Sequence, residues 1–243
     1  KIYSKKSYNM KNETICIILA RGGSKGLKRK NLRKINGKPL IYYPITDAIK
    51  SGVIDHIIVS TDDKQIAKVA KSYGAIIPFM RPKRLAGDLS TTEEGLRHTL
   101  INYEKLIKHK FKYCVFLGAT DIFRDIKWIK KGLTILKKEK KIESVFSGHI
   151  THKNFWEKKN NRWIRLRSWM KKYSSRQIRQ KIIREDTALT CVSRSYLWRK
   201  GKRIGDKVKI IENEDVLTSL EIHNKKDLKI VDKIFKMRLK KEI

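Results

Sequence analysis

The run Ala20-Arg-Gly-Gly-Ser-Lys-Gly-Leu-Lys-Arg-Lys-Asn31 interleaves glycine with cations, a pattern suited to gripping an anion. Gly22, Gly23 and Gly26 permit backbone conformations that other residues resist, so successive N–H groups can aim at phosphate oxygens. Arg21, Lys25, Arg29 and Lys30 add positive charge where a triphosphate carries its negative charge, and Asn31 offers an amide to sugar or phosphate. Binding of a nucleoside triphosphate is the chemistry this implies. Two familiar phosphate loops do not fit. The Walker pattern ends in Gly-Lys-Ser/Thr, whereas this loop has Gly26-Leu27-Lys28; the dinucleotide fingerprint needs Gly-x-Gly-x-x-Gly, and here the first two glycines are adjacent. A solvated basic turn would share the composition, so the flanking elements must decide.

Those elements support a site. Ile15 to Ala20 reads as a buried strand, too short for a helix and rich in β-branched residues. Gly37-Lys-Pro-Leu opens a predicted helix to about Ser51, with Pro39 in its first turn and Pro44 expected to kink or shorten it. Asp55-His-Ile-Ile-Val-Ser60 reads as a strand, Asp62 and Asp63 as caps of a helix to Tyr73, and Gly74 as its stop. Further strands are expected at Ala75–Phe79, Tyr113–Leu117, Glu143–Ser147, Ala188–Val192, Val208–Ile211 and Thr218–Ile222. Helices are expected over 91–108, 125–139 and 224–240. Strands alternating with helices imply a mostly parallel sheet covered on both faces. In such a sheet ligands bind at the carboxyl ends of the strands, where the loop begins.

With 243 residues, 40% hydrophobic, the chain can bury a sizeable core in one domain, and its formal net charge of +35 implies a cationic surface that attracts nucleotides, acidic sugars, anionic lipid or nucleic acid. Nucleic-acid binding is the rival reading, with Phe155, Trp156, Trp163 and Trp169 set among cations. Lysine is nevertheless spread through almost every element, without a zinc-finger ligand set or an RNA-recognition motif, so a lysine-rich composition is the simpler account. Cys16, Cys114 and Cys191 fall in apolar strands and form no Cys-x-x-Cys pair, which points to reduced core residues. No apolar run spans a bilayer and residues 1–12 lack a signal peptide's apolar middle, so a cytoplasmic protein is expected, with no membrane partner. Residues 1–12 read as an N-terminal extension and 13–243 as one domain, interrupted by a tryptophan- and cation-rich insertion at 149–184.

The string Ala20 to Asn31, followed by Gly37-Lys-Pro-Leu-Ile41, resembles the signature of the acylneuraminate cytidylyltransferases, the CMP-sialic acid synthetases and their relatives. Val59-Ser-Thr-Asp-Asp63, Ala70-Lys-Ser-Tyr-Gly-Ala75, Arg81-Pro-Lys-Arg-Leu-Ala-Gly-Asp88 and Ser90-Thr-Thr-Glu93 resemble its later blocks, in order. The resemblance implies an α/β, three-layer, Rossmann-like nucleotidyltransferase fold. It also implies transfer of CMP from CTP to the anomeric hydroxyl of an acidic nine-carbon sugar, releasing pyrophosphate, with Mg²⁺ (Mn²⁺ as the alternative). The roles it implies are Arg21 and Lys30 in catalysis; Ala20, Arg21, Gly22, Gly23, Ser24, Lys25, Lys30, Asn31 and Arg81 at the nucleotide; and Thr120, Arg124, Arg176 and Gln177 at the sugar. A homodimer, joined through the 149–184 insertion, is implied as well.

Three positions depart from the family pattern. Glu221-Ile222-His223 stands where the family carries a metal-binding Asp-x-Asp, and strand alternation would put Glu221 and His223 on one face. Mg²⁺ prefers oxygen ligands whereas imidazole suits later metals, so Glu221 is the better ligand. Gly118 replaces a sugar-contacting glutamine, and Asp186-Thr187-Ala188 replaces Asn-Gly-Ala. Sialic, legionaminic and pseudaminic types of sugar therefore all remain candidate acceptors. Taken together, the departures leave an alternative open: a relative that binds nucleotide without turnover.

Overall fold

The computed structural model describes residues 12–242. The expected extension therefore lies, apart from Asn12, outside the described residues. In chain order, β1 (Thr14–Leu19) is followed by the short strands β2 (Lys34–Ile35) and β3 (Lys38–Pro39), then α1 (Tyr42–Lys50), β4 (His56–Ser60) and α2 (Lys64–Ser72). Next come α3 (Thr92–Ile107), β5 (Tyr113–Phe116), α4 (Lys127–Lys138) and β6 (Ser144–Thr151). A hairpin of β7 (Trp156–Lys159) and β8 (Arg162–Arg165) precedes β9 (Ile182–Glu185) and β10 (Cys191–Arg194). The chain ends with α5 (Ser195–Arg199), β11 (Val208–Asn213) and α6 (Lys225–Leu239).

A seven-stranded sheet in the order β11-β6-β10-β5-β1-β4, with β9 paired to β6, forms the middle layer. β1 pairs in parallel with both β4 and β5, while β10 runs antiparallel between β5 and β6. Alternation along β1 explains why the sheet is covered twice: Cys16 and Ile18 join one core with α1, α2 and α4 residues, and Ile15 and Ile17 join another with α3 and α5 residues. A third cluster holds Leu27 of the loop, Ile35, Leu40, Ile222 and Val231 of α6. This cluster clamps the glycine-rich loop against the chain's carboxyl-terminal part. Cys16, Cys114 and Cys191 are free and buried, as expected, and no helix among the described residues is long and apolar enough to cross a membrane.

Several expected elements are different in the structure. Gly37 to Leu40 starts no helix: Asn36 and Gly37 both take positive φ, 45° and 75°, and turn β2 into β3 as a hairpin. α1 begins later, and Pro44 lies in its first turn, where a missing N–H leaves no bond unmade. The strand expected at Ala75–Phe79 shrinks to one bridge between Ile58 and Ile76. Ala188 to Thr190 is turn rather than strand, with the Leu189 N–H donating to Asp186 O. Thr218–Ile222 is no strand either. Asp215 caps a short 3-10 turn over Val216–Ser219 by accepting from Leu217 N, and the Thr218 hydroxyl donates back to Asp215 O. Such local side-chain bonds compete with sheet pairing. At the insertion, β6 runs on to Thr151 and β9 returns from Ile182, so the part that leaves the main sheet is 152–181.

Candidate active site

The loop leaves β1 at Ala20, which is buried and donates to Ser60 O on β4 at 3.0 Å. Its backbone is held from below. Gly22 N donates to Asp62 Oδ1 at 2.9 Å, and a Cβ on Gly22 would stand 2.9 Å from the Asp63 Cβ, so the close approach excludes any side chain there. Asp63 meanwhile caps α2 through Gln65 N and Ile66 N, as expected for one of the two aspartates. At Gly26 a Cβ would overlap the His223 carbonyl oxygen, so the loop lies directly on the 221–223 segment. Asn31 is buried, and its amide donates to Arg21 O at 3.0 Å. Asn31 thus shapes the loop from inside.

The cations point another way. Arg21, Ser24, Lys25 and Lys30 line a cleft of about 380 Å³ whose opposite wall is Phe116 with Gly118 to Asp121 and His223. Lys30 Nζ donates to Ile222 O at 2.8 Å, and burial lowers its pKa against the opposing charges of Asp121 and Glu221. Arg21 and Lys25 both pair with Asp88, at 3.1 and 2.7 Å. These pairs are exposed, so a polyanion can replace Asp88 at low cost. Asp88 plays no part in capping α3, which starts with a Thr91/Glu94 capping box.

Other expected site residues lie around the cleft or away from it. Thr120 lines it. Arg81 is buried behind the loop, 3.9 Å from Asp62, and its Nε has no hydrogen-bond partner among the described residues. Gly23 has open space beside it. Arg124, expected at the sugar, is instead a buried brace: it donates to Asp47 and to the carbonyls of Gly118, Ala188 and Leu189, which fixes the turn under the cleft. Arg176 and Gln177 are exposed on the insertion and do not line the cleft of this chain. Asp186 is gripped by Arg184 through two bonds of 2.8 and 2.9 Å.

Glu221 and His223 do meet, although not by strand alternation. His223 Nε2 and Glu221 Oε2 are 2.7 Å apart, with both side chains about two-thirds exposed, 68% and 64%. Among the described residues no group of three or more His, Cys, Asp or Glu side chains is arranged to hold a metal ion. One carboxylate beside a cation-lined cleft still fits Mg²⁺, which keeps several waters and is commonly held by one or two carboxylates plus substrate phosphates. Sequence reading missed Asp62, Asp88 and Asp121 as parts of the site. Only the block positions of Asp62 and Asp88 hinted at them, because their partners are more than 35 residues away in the chain.

A family model described as Cytidylyltransferase matches residues 15–234. The chain belongs to the cytidylyltransferase family. Among relatives of this cytidylyltransferase chain, Post-translational flagellin modification protein B of Campylobacter coli is 28% identical over 228 residues, covering 93% of this chain and 96% of that protein. The CMP-N,N'-diacetyllegionaminic acid synthase of Campylobacter jejuni is 43% identical over 108 residues, 44% of this chain and 46% of its own. A pseudaminic acid cytidylyltransferase of Campylobacter jejuni is 49% identical over 91 residues, 37% and 38% of the two chains. The fold agrees with a solved CMP:2-keto-3-deoxy-manno-octonic acid synthetase complexed with CTP, at TM-score 0.69 and 14% identity, covering 93% of this chain and 99% of that one. The expected three-layer nucleotidyltransferase architecture is therefore the observed one.

Proposed function

We propose that this cytidylyltransferase moves CMP from CTP to an acidic nine-carbon sugar of the sialic, legionaminic or pseudaminic type and releases pyrophosphate. The observation that carries the reading is the convergence of Arg21, Lys25 and Lys30 on one cleft from a loop whose backbone is pinned elsewhere. The sugar's anomeric oxygen forms a bond to the α-phosphorus as the bond from that phosphorus to the pyrophosphate oxygen breaks. Negative charge gathers on the leaving pyrophosphate, and fixed cations facing it stabilise the transition state without reorganising. Arg21 and Lys30 supply those charges, and Lys25, the Gly22–Ser24 backbone and Arg81 hold the nucleotide. Arg81, buried behind the loop beside Asp62, keeps its nucleotide role in this reading through the family resemblance.

Glu221, with His223 beside it, would hold a divalent ion, which when bound neutralises phosphate charge. Thr120 would face the sugar. Arg176 and Gln177 would reach a sugar only in the cleft of a second copy, which fits a homodimer joined through the insertion. Its Trp156, Trp163, Tyr173 and Ile178 are exposed apolar groups available for that contact. The same reading puts the reaction in the cytoplasm, where nucleoside triphosphates are at hand.

The test is pyrophosphate release from CTP, Mg²⁺ or Mn²⁺ and a panel of nonulosonic acids. Turnover of at least one sugar, dependent on CTP and metal, is the expected result; none across the panel refutes the reading. A second reading, nucleotide binding without turnover, draws on the pairing of Glu221 with His223 in place of two carboxylates. It predicts calorimetric CTP binding with no pyrophosphate released.

A further inference from the structure

Position 118 is bare for a reason that lies three residues further on. Gly118 follows β5 and donates its N–H to Ala188 O at 2.6 Å, so its backbone is fixed. A Cβ placed on it would overlap the Asp121 Oδ2 atom and stand 2.9 Å from the Ala188 Cβ. In the observed side-chain position the Asp121 carboxyl group fills the space that a side chain at 118 would use, with Ala188 closing the other side. A carboxylate admitted at the expense of a side chain needs a partner. Yet no described residue donates a hydrogen bond to Asp121, and the nearby Arg124 guanidinium is committed to Asp47, Gly118, Ala188 and Leu189. Lys30 shares the cleft but points its ammonium at Ile222 O.

The surroundings make this costly. Burial raises the Asp121 pKa, the Glu221 and Asp186 carboxylates push the same way, and Arg124 and Lys30 offset them only in part. Asp121 is half-buried in the cleft wall, so its carboxyl group can be reached by a donor on a bound molecule, and a carboxyl group of raised pKa in a cleft marks function. The phosphates of CTP and the carboxylate of an acidic sugar are both repelled by it. What fits is the other side of the sugar, where hydroxyl and acylamino groups offer O–H and N–H donors.

We propose that Asp121 is a specificity-determining residue of this chain, accepting a hydrogen bond from an N–H or O–H donor on the acceptor sugar in the space that Gly118 leaves open. This rests on the proposed transfer to an acidic sugar. It adds that the acceptor is chosen by its donors at one wall, opposite the cations that hold the triphosphate.

The experiment compares the full chain with Asp121→Asn, Asp121→Ser and the double variant Gly118→Gln/Asp121→Ser, using pyrophosphate release across sugars that differ in hydroxyl and acylamino groups. Expected for the single variants is a rise of about tenfold or more in KM for the preferred sugar, as for one lost charge-assisted bond. KM for CTP should stay within about twofold, since CTP does not touch Asp121 in this account. The double variant, with its carboxylate removed and the vacated space filled, should reorder the panel. Thermal unfolding of each variant checks the fold, and Asp121→Ser, smaller than the parent residue, guards against a variant that fails by crowding.

Unchanged sugar KM and ranking in both single variants would overturn the proposal while leaving the transfer reaction intact. A rise in KM for CTP, or in the metal concentration giving half the maximal rate, without a rise in sugar KM would overturn it in favour of a nucleotide or metal role. A parent chain that neither turns over nor binds any sugar of the panel would overturn both this proposal and the function beneath it.

Discussion

The glycine-rich loop and the 152–181 segment are both crowded with cations, and they behave in opposite ways. In the loop every anchoring bond is internal: Gly22 to Asp62, Asn31 to Arg21 O, Lys30 to Ile222 O, with Leu27 sunk in a core shared with α6. Its charged tips face the cleft, Arg21 and Lys25 in exposed pairs with Asp88 that a ligand can displace. In the insertion Arg165 stacks over Trp156 at 4.2 Å and lies near Tyr173 at 5.6 Å, while Trp163 is 66% exposed. Arg165 Nε, His152 Nδ1 and Asn154 Oδ1 are buried there without partners among the described residues. Similar composition thus gives a fixed loop lining a cleft where the tertiary fold completes the bonds, and an unfinished surface where it does not.

Removing a loop cation should have the largest effect. Lys30→Ala should lower kcat by about 10²–10³-fold, the usual cost of one preorganised group at a developing charge, with the fold retained. Pyrophosphate release and circular dichroism check this; a loss below tenfold would deny the loop its role. Trp163→Arg should act on the other region alone. On the proposed homodimer it should shift the sedimentation profile toward monomer and lower activity at dilute protein, while leaving CTP affinity per chain unchanged.

Gly26→Ala tests whether the loop really rests on the 221–223 segment. Its new Cβ would meet the His223 carbonyl, a backbone atom that cannot swing aside, and the overpacking should cost about 1–3 kcal/mol in urea unfolding. Asp88→Ala is gentler. It removes the internal competitor for Arg21 and Lys25 and should lower KM for CTP by about twofold at low salt, less at high salt.

The half-buried Lys30 should couple CTP binding to pH. Its pKa is lowered in the free chain, chiefly by burial, and nearby phosphates favour the charged form, so CTP raises it. On the alkaline side, between the free and bound values, binding takes up a proton and CTP affinity falls as pH rises. Calorimetry in buffers of different ionisation enthalpy should detect that uptake in the parent chain and not in Lys30→Ala.

Much of this was readable without the structure because it is local. The β-branched run of β1, the Asp63 cap and the Asn224 cap of α6 declare themselves within a few residues. Asn36-Gly37 is a two-residue hairpin signal at the place where Gly37 and Pro39 suggest a helix start, and the hairpin forms. The strand expected at Thr218–Ile222 failed because alternation there competes with bonds among Asn213, Asp215 and Thr218.

Residue types at short spacing were enough to show the α/β alternation, the glycine- and cation-rich loop and the family, although the strands expected at 75–79 and 218–222 and the helix expected from Gly37 did not form as such. Only the tertiary structure decided that Arg124 is a brace, that Asp88 occupies the loop's cations, and that the Asp121 carboxyl group fills the space beside Gly118. Those outcomes depend on approaches between distant segments, such as Lys30 to Ile222 across 192 residues. Packing and desolvation settle such contacts, and no short window of sequence contains both partners.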